Sequence, residues 1–148
     1  MQIHSMNSNL KFNWKQKILF PILVFIIIVF FRTISDRHDI IYKKLVEIEE
    51  KSNKDLPMII NSDLRFDSTK ALKWNKYAYY YTFYINSIED FDIENFENNI
   101  KPSLIDNAKE NSEMNVVFKD FKITMVFIFK DKDGIDIKNI EIPYKEYK

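Results

Sequence analysis

Hydrophobic and polar positions along the chain fall into three kinds of pattern, and each predicts a different element. The first is an unbroken apolar run, ILFPILVFIIIVFF from Ile18 to Phe31, bounded by Lys17 and Arg32. Such a run is apolar on every side, which suits lipid better than the core of a small domain. At a helical rise of about 1.5 Å per residue it spans roughly 21 Å, short of a hydrocarbon core of about 30 Å. Trp14 at the interface and snorkelling of Lys15, Lys17 and Arg32 would extend it, so the expectation is a transmembrane signal-anchor helix over 18–34. A cleaved signal peptide, with Thr33-Ile34-Ser35 as its small-residue site, and a helix buried in a soluble core are the alternatives.

The second pattern is helical recurrence. Ser35 with Asp36 and Asp39 reads as a capped helix start, and Ile41, Leu45 and Ile48 recur at helical spacing to about Ser52. Phe91, Phe96, Ile100, Leu104, Ile105 and Ala108 form another stripe, interrupted by Pro102, behind a capping arrangement of Ser87 and Asp90. Ser112 to Phe118 reads as a further helical turn.

The third pattern is alternation. Leu64 to Ser68 alternates over a short stretch, with Lys70 to Asn75 as a connection, and Lys76 to Ile85 is aromatic and β-branched throughout. Phe121 to Lys130 alternates again, Asp131-Lys132-Asp133-Gly134 supplies turn chemistry, and Ile135 to Ile142 closes a hairpin. In that last arm the apolar phase changes between Ile137 and Ile140, which predicts a bulge near Lys138 and Asn139. The expected fold is therefore α+β: an N-terminal transmembrane helix followed by helix-β-β-helix-β-β. Its sheet is expected to be four-stranded and mainly antiparallel with the helices on one face. The expected division is a cytoplasmic tail over 1–17, the anchor over 18–34 and a single extracytoplasmic domain over 35–148.

Composition narrows the function. With 46% hydrophobic and 16% aromatic residues the chain can bury enough surface to fold. Lys11, Lys15, Lys17 and Arg32 precede the first acid, leaving 18 basic against 22 acidic residues beyond Ser35. That balance disfavours a nucleic-acid partner, which requires a basic face. Absence of cysteine removes disulfides and thiolate chemistry. Cations flank both ends of the apolar run, and the closer pair, Lys15 and Lys17, favours the N-terminus inside with the domain in the periplasm or outside the cell.

Candidate chemistry is sparse. Asp131, Asp133, Asp136 and Glu141 carry the wrong spacing for an EF-hand and suit a hairpin turn instead. His4 and His38 stand on opposite sides of the apolar run, and the acids Glu89, Asp90, Asp92, Glu94 and Glu97 suit a helix start. No metal, cofactor or catalytic residue is expected. If Tyr77, Tyr79, Tyr81, Phe83 and Ile85 face the helices, Tyr80, Thr82 and Tyr84 face away. Joined by Arg65, Asp67, Lys122 and Thr124 they make a candidate protein-interaction surface. The alternative is that these tyrosines pack on one another or beneath Tyr144 and Tyr147.

Asn53, Leu56-Pro57, Asn61, Leu64-Arg65-Phe66-Asp67, the Tyr79 to Thr82 strand and the Asp131-x-Asp133-Gly134 hairpin resemble a loose group of small uncharacterised bacterial exported or membrane-anchored proteins. The resemblance implies an exported α+β domain without site residues. Members often carry a cysteine pair around the second helix and last strand, which this chain lacks.

The functional expectation is a membrane-anchored, non-enzymatic interaction module of the bacterial envelope, placed in the inner membrane by a single pass. Its partners would be lipid, through residues 18–31, and an envelope protein or peptide. An immunity or exclusion factor is one specific form; a structural subunit of a membrane assembly and a small periplasmic hydrolase are the alternatives.

Overall fold

The computed structural model describes residues 14–110 and 112–148, with side chains for 21–110 and 116–148. The backbone divides into two compact units, Met1–Arg37 and His38–Lys148. Most of the tail expected over 1–17 lies outside the described residues, as do the side chains of Trp14, Lys17 and Ile18.

Helix α1 runs from Trp14 to Ser52 as one piece. Ser35 is interior to it rather than a cap, because no glycine or proline separates the apolar run from the amphipathic one, and Thr33 Oγ1 returns its hydrogen bond to Phe30 O at 2.8 Å. In the first unit, the side chains from Pro21 to Arg37 are all exposed, Phe31 and Arg32 included. Among the described residues no helix is long and apolar enough to cross a membrane. The apolar run from Ile18 to Phe31 rises only about 21 Å along this helix, short of a hydrocarbon core of about 30 Å. The expected transmembrane helix, and the single-pass inner-membrane location built on it, are corrected accordingly.

The second unit is built on a sheet of five strands in the order β1-β2-β3-β4-β5: Met58–Ile59, Leu64–Leu72, Lys76–Phe83, Thr124–Lys130 and Asp136–Ile142. This corrects the expected four-stranded, mainly antiparallel sheet, since the sheet is mixed. β1 is an additional edge strand, antiparallel to β2, and β3 and β4 pair in parallel at the centre. The parallel pair follows from the connection: α2 (Ile93–Glu110) and α3 (Ser112–Asp120) carry the chain back before β4 begins. Pro102 lies inside α2, which continues past it. β2 extends through what reads as a loop because Thr69 and Ala71 pair with Tyr79 and Tyr77 and are buried; Lys70 between them points outward by alternation. The bulge in β5 falls at Ile137, where the register shifts between Phe129–Lys138 and Lys130–Asp136.

The core lies on one face of the sheet. Tyr77, Tyr79, Tyr81 and Phe83 of β3 lie beside Met125, Phe127 and Phe129 of β4, with Tyr79–Phe127 rings stacked at 4.9 Å and Tyr81–Phe129 at 5.4 Å. Ile41 and Leu45 of α1, Phe96 of α2 and Phe118 of α3 close over them, and Tyr147 of the C-terminal turn α4 (Tyr144–Tyr147) is fully buried in the same cluster. The Tyr147 hydroxyl donates to Ile123 O. Past β1, the outer edge of β2 is occupied by side chains. Asn53 accepts from Thr69 N–H at 2.7 Å and donates to Thr69 O at 3.0 Å, and Glu49 accepts from Ala71 N–H at 2.7 Å. These groups complete backbone bonds that a further strand would otherwise make.

Burial pushes the phenols of Tyr81 and Tyr147 up to about 12, with Tyr144 adding to the effect at Tyr147. In the unfolded chain a phenol ionises near 10. The folded state therefore retains protons that the unfolded state releases, and stability is fully present below about pH 10 and falls as pH rises to 12. Paired tyrosinate absorbance and circular dichroism across this range should show ionisation of these tyrosines coinciding with unfolding; early titration of all eight tyrosines in a still-folded chain would contradict the packing.

Candidate functional site

The burial of one phase of β3 fixes the other phase on the opposite face, and pairing registers then assemble a surface from four strands. Ser68, Tyr80, Ile128 and Asn139 lie side by side in one row; Arg65, Thr82, Lys130 and Asp136 occupy the next. On the other side of Tyr80 come Lys70, Ala78, Val126 and Glu141, then Leu72, Lys76 and Thr124. Ala78 is 0% and Val126 7% exposed, so they form a floor beneath longer neighbours, while Tyr80 and Ile128 stand half-buried at the centre.

Charged groups surround this centre in pairs. Arg65 Nε lies 2.5 Å from Asp67 Oδ1, and Thr82 Oγ1 donates to Asp67 Oδ2 at 2.6 Å. Lys76 pairs with Glu141 at 2.6 Å and Lys130 with Asp136 at 3.7 Å. Asp67 shares the face of Arg65 by alternation, next to the irregularity of β2 between Phe66 and Ser68, and both Arg65 and Thr82 reach it there. Exposed pairs of this kind contribute about 1 kcal/mol or less to stability, so their main effect is to orient charges around the aromatic centre.

Of the surface residues expected from sequence, Arg65, Asp67, Tyr80 and Thr82 come together, and Thr124 lies on the same face at the start of β4. Tyr84 lies just beyond β3, its hydroxyl donating to Asn61 O at 3.3 Å. Lys122 does not join them: it is exposed in the turn before β4, with φ 53°. Tyr144 and Tyr147 belong to the helix-side cluster, so they do not cover Tyr80. Residues missing from the expectation are Ile128, Val126 and Ala78 at the centre and Ile59, 68% exposed, which pairs with Arg65 at the edge. The alternating phase of β4 pointed to Ile128, but only the parallel register sets it beside Tyr80.

The acidic hairpin turn is internally satisfied. Asp131 is 0% exposed, and its carboxylate accepts from the backbone N–H groups of Ile88 at 3.0 Å, Asp133 at 2.9 Å and Ile135 at 2.8 Å. Burial opposes its ionisation, but the bonds from Ile135, Ile88 and Asp133, with Lys132 alongside, outweigh it and hold the carboxyl below the usual range. Asp131 thus ties the β4–β5 turn to the segment after β3, where Ser87 N–H donates to Asp90 at 2.8 Å. Among the described residues, no group of His, Asp and Glu side chains is placed to hold a metal ion.

The fold defines a small α+β domain on a mixed five-stranded sheet, with helices over one face and a paired-charge aromatic surface on the other. The chain belongs to the family described as Domain of unknown function (DUF8479), whose model matches residues 40–137. No curated protein matches it. Among solved structures it is similar to PA3611 from Pseudomonas aeruginosa, provisionally described as a secreted protein, with TM-score 0.65 and 13% identity over 75% of this chain and 96% of that one. It is also similar to the type II secretion system pilotin AspS from Vibrio cholerae, with TM-score 0.57 and 9% identity over 76% and 97%. The pilotin EpsS from the type 2 secretion system of Vibrio vulnificus gives TM-score 0.52 and 9% identity over 75% and 91%. At these identities the likeness is one of fold. Family and fold together fit the loose group of bacterial exported proteins that the sequence resembles.

Replacing Asp131 with alanine should accelerate amide exchange at Ile88, Asp133 and Ile135 together, whereas Asp133→Ala should leave Ile88 protected. The stabilisation from Asp131 is present above the unfolded carboxyl value of about 3.9 and is lost as pH falls through the lower folded value. Unchanged exchange at Ile88 in the Asp131 variant would contradict the tie.

Proposed function

We propose that this chain is a non-enzymatic protein-interaction module of the bacterial cell envelope that binds a partner protein through the open face of its sheet. The observation that carries the reading is the arrangement of Tyr80 and Ile128 over a floor of Ala78 and Val126, bordered by Arg65–Asp67, Lys76–Glu141 and Lys130–Asp136. An aromatic and aliphatic centre with charge moved to the border is the composition of an interface core and rim. The carboxylates on this face are engaged by neighbouring cations, which suits recognition better than general acid or base chemistry.

The pilotin likeness favours a component of an envelope secretion assembly as the partner. Blocking an incoming toxin or phage component is a narrower form of the same role, using the same face. The exposed apolar arm over 21–31, part of a run from Ile18 to Phe31 that rises about 21 Å, supports contact with lipid: that length is enough to enter one leaflet without crossing both. Holding the domain at such a surface would raise the local concentration of a surface-bound partner.

A photoreactive residue at Tyr80 should crosslink to a distinct protein in intact cells, and one at the exposed Asn98 of α2 should not. Once the partner is captured, Tyr80→Ala should weaken binding by about 2 kcal/mol, roughly 30-fold, with the fold retained. Adducts absent at Tyr80, or identical at both positions, would overturn the assignment.

A further inference from the structure

We propose that the hairpin tip at Trp74 is a second lipid contact, made by the folded unit itself, in which the indole and the neighbouring Lys73 and Lys122 meet an anionic lipid surface. This deepens the reading in which the arm over 21–31 touches lipid, and rests on it.

Trp74 is 75% exposed, whereas Phe and Tyr side chains along the helix side of β2, β3 and β4 are packed against one another. Folding therefore gains little from this indole. Its backbone is also costly for a bulky residue: Trp74 has φ 63° and Asn75 φ 55°, left-handed angles that glycine, asparagine or aspartate adopt more readily. Packing and turn preference both argue against tryptophan at this position.

The tip is nevertheless held firmly. The Asn75 side chain donates from Nδ2 to Phe121 O at 3.0 Å, so its Oδ1 is the acceptor facing His38 Nδ1 at 3.0 Å. Thr124 N–H donates to Asn75 O at 2.8 Å. The His38 ring meets the indole edge-to-face with centroids 5.4 Å apart. The indole is thus presented on a supported turn.

Two further features select a lipid surface over a protein. The Asn75–Phe121 bond brings the Lys122 turn against the hairpin, so exposed Lys73 and Lys122 lie at this end of the sheet, with Asp120 the acid next to Phe121. Cations beside an exposed indole suit the boundary of an anionic bilayer, where tryptophan sits at headgroup depth. His38, which supports the indole, is the first residue of the folded unit and follows Arg37 directly in the chain.

The test uses the full chain carrying Trp14→Phe, which leaves Trp74 as its sole tryptophan. Vesicles of phosphatidylethanolamine with phosphatidylglycerol, and vesicles of phosphatidylcholine alone, would be compared by flotation and by quenching of Trp74 with brominated lipid. The proposal expects flotation, quenching by the anionic vesicles, and binding to them weakened roughly tenfold or more in Lys73→Gln/Lys122→Gln, with thermal unfolding unchanged. Flotation with Trp74 unquenched would overturn this inference and leave the arm reading standing. Failure to float on either vesicle would overturn both. Equal quenching and equal charge-variant binding on the two compositions would overturn the anionic preference.

Discussion

The stacked aromatic layer on the helix side of β3 and β4 is the constraint on which the rest of this structure depends. Tyr77, Tyr79, Tyr81 and Phe83 alternate along β3, and their burial beneath α1, α2 and α3 leaves only one orientation for the residues between them. Slipping β3 by one position would bury Tyr80 and Thr82 and expose the stacked rings. The open face is therefore a consequence of the core, and so is the alignment of Tyr80 with Ile128.

How much of this was legible in the chain depended on how local each cause was. The aromatic alternation of β3, the Asp131–Gly134 turn and the helical stripe from Phe96 to Ala108 are local patterns, and each corresponds to an element of the structure. The two-residue β1 was not legible, because Met58 and Ile59 become a strand only by pairing with Phe66 and Arg65. The reach of β2 to Leu72 was missed for the same reason: Lys70 resembles a loop residue until Ala78 is placed opposite it. Arg65, Asp67, Tyr80 and Thr82 could be grouped from strand phase alone, whereas Ile128 needed the parallel register and Ile59 the edge strand.

The long N-terminal helix shows a different limit. Hydropathy identifies the run from Ile18 to Phe31, but its rise of about 21 Å is too short for a crossing of about 30 Å, and among the described residues no helix is long and apolar enough to cross a membrane. Continuity of α1 through Ser35 joins that arm to the stripe of Ile41 and Leu45 without a break in the backbone. One helix thus carries exposed apolar residues in one unit and core residues in the other. Asn53 and Glu49, near its C-terminal end, cover the edge of β2, so the face of the sheet is left open while that part of its edge is closed.

The central claim is that a partner in the envelope covers the face bearing Tyr80. Hydroxyl-radical footprinting of the chain, purified and then within intact cells, measures this at single residues. The account predicts that Tyr80 is oxidised in the purified chain and protected in cells, with Tyr77 protected in both. Equal oxidation of Tyr80 in the two settings would contradict it.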